Sequence, residues 1–281
     1  MKKQRLLFAA MAASVIGFSA CNNQPAKNAA DSTATNTPAE VKLKEETVTY
    51  KDDTTTLIGY VAYNEASTGK RPAVLVVPEW WGINEYPKAR ARQLAELGYI
   101  AFAVDMYGNA LQANTPEEAG KAAGAFYKAP ALMKSRIDAA LAKIKTFEQT
   151  DTTSIAAIGY CFGGAVVLNA AKMGADLKGV VSFHGNLAGA PANKDLLKAK
   201  ILVCHGAADK FVSEEEIAAF KKGLDSIGAD YKFIAYPDAL HAFTNPGSTA
   251  NGEKFKIPIA YNAAADTASW KDMREFFGKI F

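Results

Sequence analysis

The chain has 281 residues, 49% of them hydrophobic, with 32 Lys and Arg against 29 Asp and Glu. Lys2, Lys3 and Arg5 supply the whole +3 excess, so the chain beyond residue 20 is formally neutral. That lack of a basic field argues against a nucleic-acid partner.

The first twenty residues do not read as part of a fold. "MKKQR" is a basic n-region, "LLFAAMAASVIGF" an apolar h-region, and "SAC" ends at Cys21. The apolar run is short for a membrane span and has the layout of a secretory signal. It resembles a bacterial lipoprotein signal, in which the cysteine after the small residues becomes the lipidated N-terminus. Phe18 stands where Leu is usual. The resemblance implies a signal over residues 1–20, a lipid on Cys21 and a protein anchored in the cell envelope. An ordinary cleaved signal with an incidental cysteine is the alternative. Asn22 and Asn23 follow, with no Asp, which by the same resemblance points to the outer membrane. Residues 21–41 are small and polar and cannot bury enough surface to offset ordering entropy. They read as a flexible tether to a folded domain over 42–281, of a size that one α/β domain commonly reaches.

"TVTYKD" and "TTLIGYVAYNE" are β-rich, and Asp52–Asp53 reads as the turn of a hairpin. Ala73–Val77 is a continuous apolar run, suited to a strand buried on both faces. Residues 86–97 predict a helix ended by Gly98, and "YIAFAVDMYG" a strand ending at Asp105. Residues 116–127 and 131–148 predict two helices. The second carries a stripe of Leu132, Ile137, Leu141, Ile144 and Phe147. "SIAAIGY" is a strand running into a helix at "FGGAVVLNAAKMG". "LKGVVSFHG" and "AKILVCHGAAD" are strands. A helix follows over Ser213–Ile227, with Ser213 as N-cap and Glu216 closing a capping box. "YKFIAYP" is a last strand and "ASWKDMREFFGKIF" a last helix. Alternating strands and helices predict a single α/β domain, a mostly parallel central sheet with helices on both faces.

Besides Cys21 the chain has Cys161 and Cys204. An oxidising envelope would permit a disulfide between them. Both lie on or beside parallel strands, where side chains rarely meet with the right geometry, so two free thiols are expected. Cys204 is most simply a small buried hydrophobe. Cys161 sits in "IGYCFGG", a strand, then Gly-x-Cys-x-Gly, then a helix. This is the form of a nucleophile elbow. The glycines let neighbouring chains pass close, and the helix N-terminus favours a thiolate. Tight helix–strand packing around an inert thiol is the plainer alternative. A phosphate cradle does not fit the glycine spacing, and no Lys follows.

Two further residues follow in the order that an elbow fold requires. Asp209 lies beyond a buried strand in "VCHGAADKFV", and His241 lies beyond the next in "YPDALHAF". The other two histidines, His184 and His205, end strands and read as satisfied structural residues. Glu79, in "VVPEWWG", follows an apolar strand where half of an oxyanion hole would be built. It is either a surface acid or a partner for the Cys161 thiol. No metal and no cofactor are expected.

From about residue 45 to 281 the chain resembles the dienelactone hydrolase family, through "PAVLVVPEWWGINEY", "RQLAELGYIAFAVDMYG", "IGYCFGGAVVL", "HGAADKFV" and "HAF". The resemblance implies an α/β-hydrolase fold with a Cys-Asp-His triad. Cys161 is then the nucleophile, His241 the base and acid, and Asp209 the residue that orients the imidazole. Glu79 becomes the acid that contacts the cysteine and activates it when substrate binds. The backbone N–H groups of Trp80 and Phe162 become the oxyanion hole. Members that act on dienelactone hold its carboxylate with arginines. Four residues after the histidine this chain has Asn245, and residues 117–128 hold Lys121 and Lys128 but no Arg. Trp80, Trp81, Tyr86, Tyr107 and Phe243 are expected to wall the pocket with Asn245, although each aromatic could equally be core. Such a pocket suits a less charged, partly aromatic ester or lactone. A peptide or amide hydrolase and a non-catalytic binding lipoprotein are the rival functions, and a monomer is expected.

Overall fold

The computed structural model describes residues 41–281. The signal, Cys21 and the tether up to residue 40 lie outside the described residues. The chain opens with β1 (Leu43–Asp52) and β2 (Thr55–Asn64), an antiparallel hairpin whose turn holds Asp53 at φ 51°. Then come β3 (Arg71–Val77), α1 (Glu85–Glu96), β4 (Ile100–Ala103), α2 (Pro116–Lys128) and α3 (Pro130–Ile144). The second half holds β5 (Thr150–Tyr160), α4 (Phe162–Lys172), β6 (Gly179–Phe183), β7 (Lys200–Gly206), α5 (Glu214–Asp225), β8 (Tyr231–Tyr236), α6 (Ser248–Phe255) and α7 (Ala263–Ile280).

The strands form one eight-stranded sheet in the order β1-β2-β4-β3-β5-β6-β7-β8. β1 and β2 are antiparallel to their neighbours, and every pairing from β4 to β8 is parallel. Strand alternation divides the core. Ala73, Leu75 and Val77 of β3 pack on one face with Ile137 of α3, Val166 of α4 and Phe220 of α5. Val74 and Val76 pack on the other with Leu94 of α1 and Met273 and Phe277 of α7. The larger of these side chains, Val, Leu, Ile, Met and Phe, each contribute about 1.5–3 kcal/mol when fully buried, which explains why the central strands are apolar throughout. Cys204 belongs to this core, fully buried and free, with its thiol pushed up to about 12 by burial.

Local chemistry moved several expected boundaries. β4 stops at Ala103 rather than Asp105, because the Asp105 carboxylate accepts from the N–H groups of Tyr107, Gly108 and Ala110 and turns the chain. α3 ends at Ile144, short of residue 148: the Thr146 hydroxyl donates to the Lys143 carbonyl and the Thr150 hydroxyl to that of Ile144. α7 begins at Ala263, ahead of the expected start, because Asn262 caps it by accepting from Ala265 N–H. α6 was not expected at all. Ser213 does cap α5, accepting from Glu216 N–H, but Glu216 does not close a capping box. Its carboxylate accepts instead from Leu187 N–H at 2.6 Å and Ala188 N–H at 3.1 Å, and so ties α5 to the segment after β6.

The turn from β5 into α4 explains its glycines. A Cβ on Gly159 would stand 2.0 Å from the Gly163 carbonyl oxygen, and one on Gly163 would stand 2.3 Å from that of Val77. Both contacts are with backbone, so only glycine lets β3, β5 and α4 approach this closely.

Candidate active site

Parallel strands present their carboxyl ends on one edge, and loops there gather side chains from distant parts of the sequence. Glu79 follows β3, Cys161 β5, His184 β6, Asp209 β7 and His241 β8. Cys161 has φ 53° and ψ −115°, a conformation that costs a non-glycine residue about 1–3 kcal/mol. Its N–H is shared between the Phe183 carbonyl and His184 Nδ1, each at 3.0 Å. That backbone aims the thiol at His241, whose Nε2 lies 3.1 Å from Cys161 Sγ. His241 Nδ1 lies 2.8 Å from Asp209 Oδ2, and Asp209 Oδ1 accepts from Phe211 N–H at 2.8 Å.

The electrostatics follow from that chain. Burial opposes charge on His241, but Cys161 and the Asp209 carboxylate outweigh it and raise its pKa to about 10. That direction favours the protonated imidazole, between a sulfur and a carboxylate. His184 is the opposite case: burial and the nearby charge of His241 hold it well below the usual histidine range. Because its Nδ1 accepts from Cys161, its Nε2 carries the proton and donates to Thr244 Oγ1 at 2.7 Å. His184 is satisfied, as expected, and its task is to hold the Cys161 backbone. His205 is buried beside Phe233, but its Nδ1 has no partner among the described residues.

Among the described residues, neither Trp80 N–H nor Phe162 N–H donates to a backbone acceptor. Phe162 opens α4, so its N–H lies at the positive end of the helix. A cavity of ≈ 200 Å³ lies over Cys161. Glu79, Trp80, Trp81, His241, Ala242 and Ile259 form its inner part, and Tyr127, Asn186, Phe211 and Ile257 complete the lining. No Lys or Arg lines it.

Four expected pocket residues do not line this cavity. Tyr86 is bonded to Thr244 Oγ1 at 2.6 Å, with its ring against Tyr160. Tyr107 stacks on Phe162 at 5.7 Å and donates to the Trp80 carbonyl at 3.0 Å, bracing both expected oxyanion-hole residues. Phe243 is wholly buried against His184 and Tyr236. Asn245 is buried and donates through Nδ2 to Glu79 Oε2 at 2.6 Å. The same bond takes Glu79 away from its expected contact, since its hydrogen bond goes to Asn245 and not to the thiol.

The model of the dienelactone hydrolase family matches residues 57–281. The chain belongs to the dienelactone hydrolase family. Its members are hydrolases of the ester and lactone type. A protein of Methylorubrum extorquens, provisionally named carboxymethylenebutenolidase, is 32% identical over 223 residues, covering 75% of this chain and 73% of its own. A solved structure described as a dienelactone hydrolase-like promiscuous phosphotriesterase, P91, from metagenomic libraries is 34% identical. It superposes with a TM-score of 0.80 over 85% of this chain and 99% of its own. A dienelactone hydrolase of Anabaena variabilis, 20% identical with a TM-score of 0.58, covering 83% of this chain and 98% of its own, shares the fold.

Asn245 sets a neutral amide against the Glu79 carboxyl. An arginine there would keep Glu79 ionised. The neutral amide does less, and burial raises Glu79 to about 7 despite the Asn245 hydrogen bond and the positive His241 and Arg90. A carboxyl whose folded pKa lies above its unfolded value destabilises the fold as it ionises. The loss grows as pH rises from 4.5 to about 7 and is complete above that. Glu79→Gln keeps the shape and removes the charge. It should stabilise the protein by up to about 3 kcal/mol at pH 8 and by nothing near pH 4, read by urea unfolding. An equal effect at both pH values would contradict the buried acid.

Proposed function

We propose that the protein hydrolyses small uncharged carboxylic esters or lactones through a thioester on Cys161. The observation that carries this is the unbroken chain from Cys161 Sγ through His241 to Asp209, opening into a cavity that no Lys or Arg lines. Cys161 attacks the carbonyl carbon as the thiolate, and the carbonyl electron pair moves onto oxygen. Trp80 and Phe162 N–H groups receive that oxyanion, a contact worth about 3 kcal/mol per donor in comparable sites. The tetrahedral species collapses, and the leaving alkoxide takes the proton from His241 Nε2. His241, now neutral, removes a proton from water. The hydroxide attacks the thioester, the acid leaves, and the thiolate–imidazolium pair is restored. Asp209 fixes the ring and supports its charge. Glu79 lines the same cavity on its Asn245 hydrogen bond, a buried acid raised to about 7 that takes no proton in this cycle.

An apolar, aromatic-lined cavity favours uncharged substrates on desolvation grounds, and no Lys or Arg lines it to hold the carboxylate of a charged lactone. We further propose that Cys21 carries a lipid and tethers this monomeric hydrolase in the cell envelope, a reading supported by "SAC" and the polar stretch behind it. The function is tested on a panel of esters and lactones. Cys161→Ala should lower kcat/KM by at least about a thousandfold. Activity retained by Cys161→Ala would remove the thioester mechanism. The anchor is tested in cells. The protein should fractionate with membranes and Cys21→Ser should not. An unmodified N-terminus downstream of Cys21, found by mass spectrometry, would exclude the lipid.

A further inference from the structure

The cavity over Cys161 has a buried floor and an exposed rim. Trp81, His241, Ala242 and Ile259 are buried, whereas Tyr127 and Phe211, which line the same cavity, are 43% and 44% exposed. Side chains that both face the cavity and meet solvent mark its mouth. Asn186 links the Tyr127 hydroxyl to the backbone of Phe211. Tyr127 Oη donates to Asn186 Oδ1 at 3.2 Å, and Asn186 Nδ2 donates to the Phe211 carbonyl at 3.3 Å. The three residues come from the end of α2, the segment after β6 and the segment after β7, so Asn186 spans two otherwise separate walls.

The bridge bears on the reacting groups at both ends. The Tyr127 ring meets Phe162, next to Cys161, edge-on at 5.7 Å. The Phe211 ring packs on the His241 imidazole at 4.9 Å. Behind Asn186 the chain is anchored. Glu216 holds Leu187 N–H and Ala188 N–H, while Asn169 donates to the Ala188 carbonyl and accepts from Ala190 N–H. The support is firm, but the two bonds of the bridge are long and exposed, so they are weak enough to yield to a large substrate.

We propose that the Tyr127–Asn186–Phe211 bridge sets the size of substrate that reaches Cys161. It admits esters with short or flat groups and discriminates against long chains, which must part it. The proposal rests on the reading of Cys161 as nucleophile. Asn186→Ala removes both bonds and adds no bulk. Tyr127→Phe removes one bond and keeps the ring. The first readout is the ratio of kcat/KM for p-nitrophenyl octanoate to that for p-nitrophenyl acetate. It should rise about tenfold in Asn186→Ala and about threefold in Tyr127→Phe, the range for losing two exposed hydrogen bonds or one. The second needs no ester chemistry. Alkylation of Cys161 in the full chain, mapped by mass spectrometry, is timed with iodoacetamide and with the bulkier N-(1-pyrenyl)maleimide. The bulky-to-small rate ratio should rise in both variants. A ratio unchanged in both variants, in either assay, overturns the proposal. If the wild type hydrolyses no ester, or Cys161→Ala keeps the activity, the hydrolase reading fails while the alkylation ratio still decides the bridge.

Discussion

The backbone of Cys161 is the constraint on which the rest of the site depends. At φ 53° it turns the chain from β5 into α4 with the thiol at the crest. Nothing local favours that conformation in a residue with a Cβ, so the surroundings must impose it. Gly159 and Gly163 leave room for the backbone to turn, and the Phe183 carbonyl and His184 Nδ1 hold the N–H from below. His184 is itself at φ 42°, and its far nitrogen is fixed by Thr244. Thr244 meets Tyr86, and Arg90 of α1 donates to the Thr244 carbonyl. The strain at one cysteine is thus held by side chains from α1, the turn after β6 and the segment that carries His241.

That arrangement also separates charge. Sulfur and carboxylate favour the protonated form of His241, burial and that neighbour disfavour charge on His184, and burial raises the Glu79 carboxyl on its amide partner. Rings 5.3 Å apart cannot both carry charge in a buried site at acceptable cost, which is why the two histidines titrate so differently. The cavity follows the same logic: Asn245 sets a neutral amide against Glu79, and no Lys or Arg lines the space to hold an anionic substrate.

Much of this was legible in the sequence because it depends on short-range rules. The apolar run of β3 and the glycines flanking Cys161 each carry their own physical reason, whereas Asp209 and His241 stand out by the chain order of an elbow fold and not by any local rule. The cavity wall was less legible. Trp81 lines it, yet Tyr86 and Phe243 are as aromatic and lie beneath it. Composition does not distinguish a ring facing a cavity from one facing the core. Ile257 and Ile259 reach the site because Ile259 bridges to His241, a pairing no local pattern announces. Glu216 had the spacing of a capping box but found better donors across the fold at Leu187 and Ala188. Tertiary contacts decided these cases, and propensity alone does not anticipate them. Asn186 is the kind of residue that could have been found, a polar side chain just past a parallel strand on the edge where function gathers.

The account stands on Cys161 as the atom that bonds to substrate. The most direct measurement is to quench the enzyme in acid during turnover of a slow ester and determine its intact and peptide masses. The account predicts a population heavier by the acyl group, with the added mass on the peptide containing Cys161 and lost on treatment with hydroxylamine. Turnover with no acylated protein at any time, or an acyl group mapped to another residue, would contradict it.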